Sequence, residues 1–308
     1  MSEAPDAAAP AAPRCGFIAL IGAPNVGKSS LVNTLTGAKV SIVSRKVQTT
    51  RTTLRGIALH GASQLVFVDT PGIFAPRRRL DRAMVQRAWA GAADADLIAL
   101  IVDAAAGLDD ETAAILPRLS DMADKAILVL NKIDLVKPEG LLALAGALNE
   151  KLSFRRTFMV SAKTGDGVGD LRDYLAGEVP AGPWLYPEDQ LTDAPLRHLA
   201  AEITREKLFD RLHDEVPYAS TVETTDWKTV KGGAARIEQT IYVERESQRK
   251  IVLGKGGRAI RDIGTAARLE LAKILETPVH LFLFVKVRER WGEDRARYRE
   301  MGLDFPDE

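Results

Sequence analysis

Residues 22–29 read Gly22-Ala23-Pro24-Asn25-Val26-Gly27-Lys28-Ser29, directly after the apolar run Phe17-Ile18-Ala19-Leu20-Ile21. A Gly-x4-Gly-Lys-Ser stretch that leaves a strand and opens a helix is the signature of a phosphate loop. Its glycines let the backbone wrap around phosphate oxygens, while the amides and the helix N-terminus supply fixed positive potential. In this reading Lys28 reaches the β- and γ-phosphates and the Ser29 hydroxyl ligates Mg²⁺. The competing reading is a glycine-rich turn that binds nothing.

Outward from this loop, apolar runs of strand length recur at 64–68, 97–102, 126–130 and 157–160, with a further edge strand at 54–60. Helical patterns fall at about 29–36, 81–91, 109–120, 138–150 and 168–176. Such alternation implies a doubly wound α/β sheet, which takes its ligands beyond the carboxyl ends of its strands. Each motif of the first domain falls at such an end.

Asp69-Thr70-Pro71-Gly72 closes the 64–68 strand. An Asp there can hold Mg²⁺ through water, and the Gly72 amide can meet the γ-phosphate. Between it and the phosphate loop lies a threonine-rich loop, 44–53, in which Thr50, or failing that Thr49, completes the Mg²⁺ shell when the γ-phosphate is present. Asn131-Lys132-Ile133-Asp134 follows the 126–130 strand. Guanine offers two neighbouring donors, N1–H and the 2-amino group, and one carboxylate accepts both; Asp134 is placed for that role. Adenine would leave this carboxylate unpaired. Asn131 would meet the base or the phosphate loop, the Lys132 stem would cover the ring, and an amide of Ser161-Ala162-Lys163 would read the 6-oxo group.

Many GTPases place a Gln just after Asp-x-x-Gly to orient the attacking water. Ile73 stands there instead, followed by Phe74, so slow intrinsic hydrolysis is expected. Asn25 is a candidate ligand for a monovalent cation such as K⁺, which would act as an arginine finger does; the alternative is that Asn25 only shapes the turn. The residues expected to carry hydrolysis are therefore Lys28, Thr50, Gly72 and Asn25.

Gly177, Pro180, Gly182, Pro183 and Pro187 interrupt the pattern, which suggests a linker over 179–193 between a nucleotide domain at 15–178 and a second domain at 194–292. The second domain reads helix (about 194–213), two strands (218–227 and 234–244), a helix, a Gly-rich turn, a helix (about 258–275) and a last strand (279–287). The turn is Gly254-Lys255-Gly256-Gly257, followed by Arg258. A Gly-x-x-Gly turn between helices lets a sugar-phosphate backbone approach closely, as in the KH module that clamps single-stranded RNA. Ile251 and Val252 would line the groove beside Gly254, Lys255, Gly256, Gly257 and Arg258. The run Arg77-Arg78-Arg79 reads as a solvated face, the alternative being a contact with rRNA phosphates or a partner in the GTP state, and the histidines and tryptophans suggest no site.

The 308 residues carry 42 Lys plus Arg against 42 Asp plus Glu, so any basic surface must be local. Cys15 is the only cysteine, which excludes an intrachain disulfide and suits a reducing cytoplasm. No apolar run approaches the roughly 20 residues that span a bilayer. Residues 1–14, rich in Ala and Pro, read as a disordered tail, and 293–308 as a C-terminal tail.

Taken together, these motifs resemble the Era family of bacterial Ras-like GTPases. The resemblance rests on the phosphate loop, Ser44-Arg45-Lys46-Val47-Gln48-Thr49-Thr50-Arg51, Asp69 to Gly72, Asn131 to Asp134, Glu215-Val216-Pro217-Tyr218, Glu244-Arg245-Glu246-Ser247-Gln248 and Gly254 to Gly257. It implies a mostly parallel α/β P-loop GTPase domain followed by an α+β type II KH domain. It also implies GTP and Mg²⁺ as ligands, slow hydrolysis, and binding of 16S rRNA near its 3′ end during 30S assembly. Cytoplasmic residence as a monomer, with a fraction at the inner membrane, is implied as well. Two competing readings are a GTPase acting on proteins or membranes and a P-loop kinase; the base-reading loop speaks against the second.

Overall fold

A computed structural model of the chain describes residues 12–306, apart from 45, 47, 48 and 214. Most of the N-terminal tail, and Arg45, Val47 and Gln48 of the threonine-rich loop, thus lie outside the described residues.

Six strands form the first sheet: β1 (Arg14–Ile21), β2 (Leu54–His60), β3 (Ser63–Asp69), β4 (Leu97–Asp103), β5 (Ala126–Asn131) and β6 (Thr157–Met159), in the order β2-β3-β1-β4-β5-β6. All pairings are parallel except β2 with β3, which form a hairpin at the edge. The central strands carry apolar residues on both faces because helices cover both faces. Ile18 and Leu20 of β1 pack with α1 (Lys28–Thr36) and α5 (Val168–Glu178). Ala19 and Ile21 face α2 (Arg79–Asp94), α3 (Asp110–Leu119) and α4 (Pro138–Lys151). The chain leaves β1 toward β3 on one side and reaches β4 on the other, so a crevice opens at the carboxyl end of β1.

β1 begins at Arg14, which the sequence pattern assigned to the tail. Its guanidinium donates to the carbonyls of Val179 (2.8 Å) and Gly177 (2.8 Å), and this anchoring extends the strand beyond its apolar run.

Residues 179–193 lie along the sheet edge. The buried Gln64 accepts the amides of Leu185 (2.9 Å) and Tyr186 (3.0 Å) on its Oε1, and the Ile57 amide donates to Leu191 O at 2.8 Å. This segment covers the free edge of β2, which would otherwise expose unpaired backbone groups.

The second domain holds α6 (Leu196–Arg211), β7 (Ser220–Thr229), β8 (Ala235–Val243), α7 (Glu246–Leu253), α8 (Arg258–Ile274) and β9 (Val279–Val287). β7 pairs antiparallel with β8, and β8 parallel with β9, while α6, α7 and α8 cover one face.

Residues 291–306 are packed rather than a loose tail. Trp291, Tyr298 and Leu303 are buried, and Tyr298 and Leu303 pack with Ala83 and Met84 of α2 around a short helix, α9 (Arg295–Glu300). The charge of this segment hides its apolar face: Arg79 and Arg295 lie 4.9 and 5.0 Å from the Phe305 ring. Arg79 therefore packs on this segment, while Arg77 and Arg78 are exposed.

Candidate functional site

The loop between β1 and α1 bends back on itself. Asn25 sits at φ 62° and Gly27 at φ 99°, the left-handed region. A Cβ on Gly27 would lie 2.3 Å from Asn131 Nδ2, so only glycine lets the phosphate and base loops abut there. Lys28 opens α1 almost fully buried, and its ammonium donates to Gly22 O (3.1 Å) and Ala23 O (2.9 Å). Burial pushes this ammonium down to about 8, against the opposing pull of Asp69 and Glu111. An anion in the cradle would reverse that shift.

Three hydroxyl groups gather around one carboxylate. Ser29 Oγ donates to Asp69 Oδ2 at 2.7 Å and Ser41 Oγ at 2.6 Å, while Thr50 Oγ1 lies 2.9 Å from Ser29 Oγ. Burial pushes the Asp69 carboxyl above its usual range, with Ser41, Ser29 and Lys28 opposing. The other oxygen, Oδ1, is buried with no hydrogen-bond partner among the described residues. An orphaned carboxylate oxygen beside hydroxyl oxygens suits a hard divalent cation such as Mg²⁺. Thr49, the second choice from sequence, turns its hydroxyl onto Lys46 O at 2.7 Å, so the cluster takes Thr50.

Asn131 ties the base side together. Its Nδ2 donates to Val26 O (2.8 Å) and its Oδ1 accepts the Ala162 amide (3.0 Å), which engages one amide expected to be open to guanine. Lys132, at φ 65°, extends its ammonium to Asp103 Oδ2 at 2.6 Å. Asp134 is exposed, and its Oδ1 accepts the Ser161 hydroxyl at 2.7 Å. Ile73 is buried, with its amide on Gly22 O at 3.0 Å, so its side chain has no access to water at the phosphates. These loops line a cleft of about 970 Å³ with Pro24, Asn25, Gly72 and Lys163 on its walls. Thr70 holds its loop to β1 by donating to Leu20 O at 2.6 Å, and Ala23, Val26 and Pro71 are buried beneath, while Ile133 packs on the core.

In the second domain the Gly-x-x-Gly turn links α7 to α8, with Lys255, Gly256 and Arg258 exposed and Gly254 and Gly257 half-buried. Ile251 is 49% exposed beside it, but Val252 is fully buried with Leu208, Ile241 and Ile263. Val252 therefore belongs to the core: it sits on the inward face of α7 and offers nothing to a ligand in the groove.

Several contributors escaped sequence reasoning. Ser41 carries no local signal, and Asn33 positions it by accepting the Val40 and Ser41 amides at 2.9 Å each. Phe209, Asp210 and His213, at the end of α6, line the nucleotide cleft from the second domain. The spacing of Trp291, Tyr298 and Phe305, seven positions apart in each step, was a legible sign of a packed C-terminal face.

Comparison with known proteins adds relatives to this geometry. A family model described as a 50S ribosome-binding GTPase matches residues 17–132, and a KH domain model matches 215–292. The chain is 65% identical to GTPase Era of Bradyrhizobium sp. (strain BTAi1) over 295 residues, 96% of each chain. It is 65% identical to GTPase Era of Rhizobium meliloti (strain 1021) over 302 residues, 98% of this chain and 96% of the other. Two solved structures superpose with a TM-score of 0.89 at 36% identity, covering 94% of this chain and 99% of theirs: Aquifex aeolicus Era bound to GDP·AlF4⁻, and Era with MgGDPNP and nucleotides 1506–1542 of 16S ribosomal RNA.

Proposed function

Because the chain belongs to the Era family of GTPases, we propose that it is a GTP-binding, GTP-hydrolysing switch that binds 16S rRNA near its 3′ end and assists 30S assembly. The observation that carries the nucleotide part is the meeting of Ser29, Thr50 and Asp69 at the phosphate end of a cleft whose far end presents Asp134.

Lys28 and the loop amides hold the β- and γ-phosphates, and the Gly72 amide meets the γ-phosphate. Ser29, Thr50 and Asp69 are the residues for Mg²⁺, which when bound neutralises charge developing on the phosphate oxygens. Asp134, held by Ser161, selects guanine by accepting from N1–H and the 2-amino group. With Ile73 in place of a water-orienting side chain, hydrolysis stays slow. Asn25 supports a K⁺-dependent rate, and equal turnover in KCl and NaCl removes that role.

The RNA part rests on the exposed Gly-x-x-Gly turn with Lys255 and Arg258, and on a relative solved with nucleotides 1506–1542 of 16S rRNA. Cytoplasmic residence, with a fraction at the inner membrane, belongs to the same proposal; among the described residues no helix is long and apolar enough to cross a membrane. Competition of GTP against ATP, together with pull-down of an rRNA 3′ fragment, tests the reading. An ATP affinity equal to that for GTP overturns the nucleotide part, and loss of the fragment overturns the RNA part.

A further inference from the structure

The segment that leads to Thr50 is fastened to the second domain at Lys39, Val43, Lys46, Thr49 and Arg51. At its start, Lys39 pairs with Glu206 (2.7 Å) and Glu270, and Glu206 also accepts the Val43 amide at 2.8 Å. In the middle, Lys46 donates to the carbonyls of Phe209 in α6 and of Leu212 just beyond it, and Arg205 donates to Thr49 O. At its end stands Arg51, adjacent to Thr50 and only 3% exposed.

Arg51 sits in a pocket made by the second domain. Its guanidinium donates to Tyr218 O (3.0 Å) and Pro217 O (3.3 Å) in the turn before β7, and to O of Ser220, the first residue of β7, at 2.8 Å. The same turn accepts the Trp291 indole N–H on Ala219 O at 2.9 Å. The guanidinium lies 5.9 Å from the Phe209 ring and 5.5 Å from the Trp291 ring. Phe209 belongs to α6, and Trp291 leads into the C-terminal segment that packs on α2.

We propose that Arg51 is a positioning residue through which the second domain holds Thr50 at the Mg²⁺ site, so that closure of the loop on GTP requires this domain to be docked. Three carbonyls and two ring faces around a planar fork suit arginine and no other side chain. The guanidinium is buried, and its charge is met by carbonyl dipoles and ring faces. A buried cation of this kind is tolerable only while its pocket is formed, which makes docking and loop closure one event. GDP, which does not recruit Thr50, has no call on the link.

The inference rests on the Thr50 reading above, and the test separates the two. Affinities of the full-length protein for GDP and for a non-hydrolysable GTP analogue are measured in Mg²⁺ for Arg51→Ala, Arg51→Lys, Trp291→Leu and Thr50→Ala. Each substitution is expected to lower the preference for the GTP analogue over GDP by about tenfold, within the usual range of coupling between sites. GDP affinity of the Arg51 and Trp291 variants stays at the wild-type value, which also reports that these variants are folded. If Thr50→Ala lowers the preference while Arg51→Ala and Arg51→Lys leave it intact, or lower both affinities equally, Arg51 does not position Thr50. If Thr50→Ala itself leaves the preference unchanged, the Thr50 assignment falls and the inference with it.

Discussion

The hydroxyl oxygens of Ser29 and Thr50 lie 2.9 Å apart, although one opens a helix and the other sits in a loop. Asp69 accepts from Ser29, while its second oxygen has no partner among the described residues. Oxygen donors brought this close in a buried setting suit a hard divalent cation.

Ser29 and Thr50 should differ in when they matter. Ser29→Ala is expected to weaken GDP and GTP alike by about tenfold, since a lost ligand to a charged partner costs on the order of 1.5 kcal/mol. Thr50→Ala should weaken GTP only. Calorimetry with each nucleotide, with Mg²⁺ and then with a chelator, checks this, and the two variants should converge when the metal is removed.

Asp134→Asn should exchange the base preference. Guanine loses a charged two-point acceptor, costing about 10- to 100-fold in affinity. Xanthine, which carries a 2-oxo acceptor where guanine has a donor, gains a partner in the new amide. Competition between GTP and xanthosine triphosphate reads the change; undiminished GTP binding refutes the role of Asp134.

Lys28 makes nucleotide binding pH-dependent in a stated direction. Its folded value, about 8, lies below the ordinary 10.5, so the ligand-free fold holds fewer protons there than the unfolded chain does. By linkage this group's contribution to stability is least favourable below about 8 and improves as pH rises toward 10.5. Triphosphate binding restores the charge. GTP affinity should therefore fall as pH rises through about 8, with proton uptake on binding near pH 9. Titration in buffers of different ionisation enthalpy measures the uptake, which Lys28→Met should abolish.

Gly256→Asp tests the turn in the second domain. Gly256 sits at φ 60° with open space where a Cβ would be, and Asp tolerates that backbone better than most residues. The fold should survive, while a carboxylate placed against approaching phosphates should weaken RNA binding about tenfold or more. Filter binding of a single-stranded rRNA 3′ fragment, with thermal unfolding as control, decides it. Unchanged RNA affinity in a folded variant removes this turn from the interface.

The nucleotide loops were legible because each is a contiguous motif at a strand end, where spacing alone sets the geometry. Thr50 ranked ahead of Thr49 from sequence, and the physical reason needed backbone positions, since Thr49 bonds within its own turn. Val252 was misread because a Gly-x-x-Gly turn marks a groove without saying which side of α7 faces it. The C-terminal segment looked like a tail because its charge is high and its partner, α2, lies about two hundred residues away. The Arg51 pocket had no sequence signal at all, being built from backbone carbonyls of a distant turn.

The proposed switch requires that the nucleotide in the first domain govern RNA binding by the second. Titrating an rRNA 3′ fragment into the full-length protein with GDP, and then with a non-hydrolysable GTP analogue, tests it directly. An affinity higher by about fivefold or more with the GTP analogue is the expected result, the lower end of typical allosteric coupling. Equal affinities in the two nucleotide states would contradict it.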